Sequence, residues 1–194
     1  MERWDDLEAF TRDSAESDLD AMGEVDPFVV AFRAIEPLFV AYLRPFEKGA
    51  YDRPLIEVLA LAAPLGADRL AVAMGGRAWS LDDPVSPVVD GVGDLRQRVL
   101  TLHGVDGLGG APTAFGVMWP FEIAGGRVSW QEALRTGDGQ GWIPRALELA
   151  VTSRGQLEAS AEEVADQAVR CIELGHDLYL APPVGQRLAS HRWI

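Results

Sequence analysis

The sequence predicts an α+β fold in which an antiparallel sheet of about five strands, with hairpins at 69–81 and 113–130, is covered by N- and C-terminal helices. Three observations carry that reading. Apolar residues alternate at period two through 113–123, helical patterns lie on both sides of the central strands, and no regular strand–helix–strand alternation is present. The length suits one domain: 194 residues with 48% hydrophobic and 24% charged content bury a core without metal or disulfide support.

Residues 1–26 form an acidic lead, helical or frayed, ahead of a single α+β domain at 27–194. The lead holds ten acids against Arg3 and Arg12, a local charge of −8 within a total of −13. Asp26 and Pro27 then read as a helix start, a carboxylate for orphan N–H groups followed by a ring preset to helical φ. From Phe28 to Phe46 the chain is apolar nearly all round, which predicts a helix, kinked or restarted at Pro37 and buried on every side. Asp52-Arg53-Pro54 opens a further helix over Leu55–Leu65, closed by Gly66.

The period then changes. Leu70, Val72 and Met74 alternate up to Gly75-Gly76, read as a two-residue hairpin turn returning through 77–81. A Pro/Asp/Gly loop occupies 82–94, and Arg98–His103 reads as a strand. Phe115, Val117, Trp119, Phe121 and Ile123 share one face of the clearest strand, and Gly125-Gly126 turns it back into 127–130. Pro120 has no N–H to give, which points to a sheet edge or a bulge. Pro144 opens a helix over 143–152, and Ser160-x-x-Glu163 is a capping box for a helix ending at Gly175.

Charge excludes some partners. With one lysine, Lys48, and a strongly acidic balance, docking on nucleic acid or anionic lipid is opposed. Arg33, Glu36, Arg44, Pro37 and Pro45 interrupt the longest apolar stretch, so no membrane span is expected. The opening residues lack a basic segment followed by an apolar run, so no secretory signal is read, and a single cysteine suits a reducing cytoplasm.

The search for chemistry gives little. His103, Cys171, His176 and His191 show no metal-ligand spacing, and Cys171 shares a helical face with Val164 and Ala168, so no metal or cofactor is expected. Neither glycine-rich segment, 107–110 or 137–141, matches a phosphate-binding loop. No nucleophile elbow is present. What remains is loop 82–94, where Asp90 and Asp94 precede Arg96 and Arg98 and offer carboxylates beside an anion contact. Trp79, Trp119, Trp130 and Trp142 line a pocket or fill the core, the second being the simpler account of Trp119 in its unbroken apolar face.

Two functional expectations follow. The favoured one is a non-catalytic domain that self-associates through the apolar 28–46 helical stretch, or offers its acidic N-terminus to a basic protein partner. The alternative is a small-molecule enzyme or binder with a pocket at the end of the sheet, ligand-binding through Asp90, Asp94, Arg96 and Arg98.

Overall fold

A computed structural model describes residues 4–47, 49–79, 88–89, 93–94, 96–137, 141–154 and 159–189. The strands are β1 (Phe28–Arg33), β2 (Glu36–Tyr42), β3 (Arg69–Ala78), β4 (Val88–Val89), β5 (Gly93–Asp94), β6 (Gln97–Asp106), β7 (Thr113–Ala124), β8 (Arg127–Trp130), β9 (Leu134–Thr136) and β10 (Asp177–Leu180). Eight of them make one antiparallel sheet in the order β10-β2-β1-β3-β6-β7-β8, with β9 also on β7, while β4 and β5 pair only with each other. The sheet is thus larger than the five strands expected. Five helices accompany it: α1 (Trp4–Met22), α2 (Asp52–Leu59), α3 (Trp142–Thr152), α4 (Ala161–Glu173) and α5 (Pro182–Ala189).

The apolar run from Phe28 to Phe46 is a β-hairpin and not a helix. β1 pairs with β2 on one side and β3 on the other, and Phe28, Val29, Val30, Ala31 and Phe32 are all buried. A strand covered on both faces shows no alternation, so its apolar run imitates an all-round apolar helix. Pro37 sits opposite Phe32, just past a register shift in the pair, where the missing N–H costs no regular ladder bond. The turn between the strands places Ala34 at φ +52°, and its N–H is held by both Asp68 carboxylate oxygens at 2.7 and 2.9 Å.

Gly75 and Gly76 also differ from expectation. β3 runs straight through them and pairs with β6 as far as Ala78 opposite Gln97, so no hairpin turns at that point. Val25 crosses this part of the strand so closely that a Cβ on Gly75 would come within 3.1 Å of its own Cβ. The glycine admits a neighbour where the sequence had suggested a turn. In β7 the expectation holds in detail: Ala124 and Arg127 close a hairpin around Gly125-Gly126. Pro120 falls in the gap between β9, which pairs residues 116–118, and β8, which pairs residues 121–124.

The sheet has a core on each face. On one, Leu7, Ala15 and Leu19 of α1 meet Phe28, Val30, Leu100, Leu102, Val117, Trp119 and Phe121. On the other, α2, α3, α4 and α5 cover Val29, Ala31, Leu70, Val72 and Val105. The capping box at the start of α4 forms as its sequence implies: Glu163 N–H donates to Ser160 Oγ, and the Glu163 carboxylate accepts the Ser160 N–H at 2.7 Å.

Candidate functional site

Among the described residues, a dense group of titratable side chains lies where the end of β2, α2 and the α4–β10 turn meet. Glu57, inside α2, accepts Arg44 Nε at 2.8 Å and Nη2 at 3.2 Å, one on each carboxylate oxygen. Arg53, one helical turn earlier, adds Nε at 3.0 Å, and His176 Nε2 stands 3.1 Å from the second oxygen. Four donors from three residues hold this carboxylate ionised, Arg44 foremost, and its pKa falls from 4.5 to about 2. His176 Nδ1 accepts the Arg44 backbone N–H at 3.0 Å, so the ring proton sits on Nε2 and points at Glu57. The Glu57 carbonyl is used as well, by Cys171 Sγ at 3.3 Å and Gln167 Nε2 at 3.4 Å.

This cluster reads as a clasp between elements. The Cys171 thiol is fully buried, and burial followed by the Glu57 charge pushes its pKa up to about 11, the reverse of what a nucleophile requires. The His176 ring is engaged at both nitrogens. His103 is a different case: burial lowers its pKa, and its Nδ1 is buried without a hydrogen-bond partner. It lies in one cross-sheet row with Val72 and Gly116, facing the α2–α5 layer. Among the described residues, no three histidine, cysteine or carboxylate side chains converge as a metal site would need.

The expected ligand-binding residues are distributed differently. Asp90 and the side chain of Asp94 lie outside the described residues, although the Asp94 backbone pairs with Val88. The Arg96 carbonyl accepts Arg77 Nη1 at 3.0 Å. Arg98 is turned toward α1: its Nη2 donates to the Gly23 carbonyl at 2.6 Å, and its guanidinium lies 5.2 Å from the centre of the Phe121 ring. An arginine at a helix C-terminus satisfies orphan carbonyls and opposes the negative end of the dipole. Arg98 therefore anchors the end of α1. The tryptophans do not all gather either, since Trp119 and Trp130 share the α1-side core while Trp142 opens α3 beside Tyr51 in the opposite layer.

The surface around α1 carries the strongest chemical character. Leu7, Thr11, Ala15 and Leu19 recur every fourth residue and dock the helix, and polar links fix its flanks. Glu8 holds Arg135 through both oxygens at 2.6 and 2.7 Å, Glu16 accepts the Trp130 indole N–H, and the Trp4 indole N–H reaches Asp106 at 3.3 Å. Docking this face leaves Asp6, Asp13 and Asp20 exposed on the opposite one, continued by Glu24 and Asp26, while the exposed Asp5 lies on the flank near Arg135. On the β2 flank, Asp18 accepts the Asp26 N–H at 3.1 Å and stands close enough to raise the pKa of the half-buried Tyr42, after burial itself. Asp18 in turn is raised by burial and by the charge of Asp26. Tyr42 meets Tyr179 edge to face, with ring centres 6.2 Å apart.

Neither Glu57 nor this acidic–aromatic flank was singled out from the sequence. The Arg53–Glu57 spacing of four was a local sign of the first. The second unites α1, β2 and β10 and has no local sign. Comparison with known proteins gives no match: no family model fits the chain, and no curated protein or solved structure is significantly similar to it.

Proposed function

We propose that the protein is a non-catalytic binding module that presents the acidic face of α1 to a basic protein partner. The observation that carries this reading is the docking of α1, which holds Asp13 and Asp20 outward in a fixed helical array, with Asp6 on the same face. Such an array concentrates negative potential and steers cationic partners toward one face. The Glu57 clasp supports the same reading, because its nucleophile candidate is protonated and its histidine is spent on structural bonds.

Self-association was expected of an apolar helix over 28–46; the segment is instead the β1–β2 hairpin, with Phe28–Phe32 buried and both strands paired on both sides, which gives that expectation less support. In the small-molecule alternative Arg98 is engaged with the end of α1, so the anion contact would fall to Arg96. Among the described residues, no helix is long and apolar enough to cross a membrane. A buried, protonated single cysteine suits a reducing cytoplasm.

The test is binding of a labelled nine-residue peptide, arginine alternating with valine, followed by fluorescence anisotropy. Binding should weaken as salt rises and fall several-fold in the double variant Asp13→Asn, Asp20→Asn, whose positions are exposed and outside both cores. Absence of binding at low salt would refute the proposal.

A further inference from the structure

β10 is the outermost strand of the sheet, and one of its two hydrogen-bonding sides is used. Ala181 N–H donates to the Leu38 carbonyl at 2.9 Å, and the pairing continues as Leu180–Phe39, Tyr179–Val40, Leu178–Ala41 and Asp177–Tyr42. Antiparallel pairs alternate between bonded and non-bonded, so residues 177 and 179 bond to β2. Leu178 and Leu180 therefore turn their N–H and C=O groups away from the sheet. Among the described residues no strand pairs with that side. Donors and acceptors repeating every second residue are what an incoming extended chain uses.

The side chains of this edge are selective. Directly paired residues share a face, so Asp177 lies with Tyr42, and Tyr179 with Val40, on the α1 side. Tyr179 is 62% exposed. The groups acting on the Tyr42 phenol through charge are Asp18, Tyr179 and Asp26, all of them acids. Two aromatic rings beside the Asp18 and Asp26 carboxylates, with Asp177 on the same face, match a cationic side chain, whose charge is drawn both to the ring faces and to the acids.

We propose that the outer edge of β10 receives an extended segment of a basic partner, which adds as a strand and lays an arginine or lysine across Tyr42 and Tyr179 toward Asp18, Asp26 and Asp177. This rests on the acidic-face reading and specifies where and in what conformation the partner binds. Charge argues against a second copy as occupant. A two-fold pairing of β10 with itself would bring the same carboxylates together between molecules that each carry −13. The shortness of the strand limits main-chain bonding, so the cation over the tyrosines supplies the selectivity.

The experiment uses the full chain with the alternating arginine–valine peptide and the same peptide N-methylated at every valine. With the arginines on the α1 side, the valine amides face β10, and a one-residue slip that restores pairing sends every arginine to the other face. The parent peptide should bind and protect the Leu178 and Leu180 amides from hydrogen exchange. N-methylation, and separately Tyr179→Lys in the protein, should each weaken binding by about tenfold. Equal binding of both peptides, unaffected by Tyr179→Lys but lost in Asp13→Asn, Asp20→Asn, would overturn strand addition and leave the acidic-face reading standing. No binding of either peptide would overturn both. A dimer abolished by Tyr179→Lys would replace the basic partner with a second copy.

Discussion

Replacing Glu57 by glutamine tests whether the buried clasp is a charge-dependent joint. The substitution keeps size and shape but exchanges one oxygen for an NH2 group. If that group takes the position of Oε2, it faces Arg44 Nε and the His176 Nε2 proton; in the position of Oε1 it faces Arg44 Nη2 and Arg53 Nε. Either orientation sets a donor against two donors. The histidine cannot relieve this by moving its proton, because Nδ1 already accepts the Arg44 N–H. Hydrogen bonds to a charged group contribute about 1.5–3 kcal/mol each, and solvent around the exposed Arg53 screens part of this, so a net loss of about 2–3 kcal/mol is expected. For a chain of this length that corresponds to a fall in Tm of about 5–10 °C.

Urea denaturation followed by far-ultraviolet circular dichroism at several pH values reads both the size and the origin of the effect. The folded Glu57 pKa is depressed from 4.5 to about 2, so its contribution is fully present above about 4.5 and fades as pH falls toward 2. The stability gap between wild type and Glu57→Gln should therefore be largest at neutral pH and close through that acidic window. A gap below about 0.5 kcal/mol, within the range of an ordinary surface change, would refute the reasoning. So would a gap independent of pH.

Three further outcomes are expected. Cys171, fully buried with its thiol pKa raised to about 11, should resist a thiol-reactive dye in the native protein and label completely in denaturant. Gly104→Ala should cost about 1–3 kcal/mol in a melting experiment, because the added Cβ would overlap the Phe115 ring that lies across the glycine. Arg98→Ala should destabilise by about 1 kcal/mol and speed amide exchange in the last turn of α1, while Gly125→Ala at the far hairpin leaves α1 exchange unchanged.

What the sequence revealed and concealed follows from how far each signal reaches along the chain. The α4 capping box is set by Ser160 and Glu163, three residues apart, and it forms as read. β7 has one face in a core and the other lined by Gly116, Met118 and Pro120, so its alternation survives in the sequence. β1 has a core on each face, which erases the alternation and left only its β-branched and aromatic residues to argue against a helix. Gly75 reads as a turn in the sequence because a tight turn and a close neighbour both require the absence of a Cβ, and the neighbour that overturns that reading, Val25, lies fifty residues earlier. Sites assembled from remote segments were the least visible. Glu57 depends on His176, and Tyr42 on both Asp18 and Tyr179, pairings that only the finished sheet creates.

The docking of α1 has a consequence for the order of folding. Its partners across the sheet, Asp106, Trp130 and Arg135, lie more than a hundred residues later in the chain. A ribosome therefore makes the helix long before the surface that receives it. Its docking face, Leu7, Thr11, Ala15 and Leu19 with Trp4 and Phe10 beside them, has no surface to join in the interval, and its many acids keep it dispersed. Closure of this face waits on contacts of long sequence separation, which places α1 docking among the late and slow events of folding. Until then the rings of Phe28, Trp119 and Phe121 stand uncovered, and a nascent chain stalled before residue 135 would be the form most prone to aggregate.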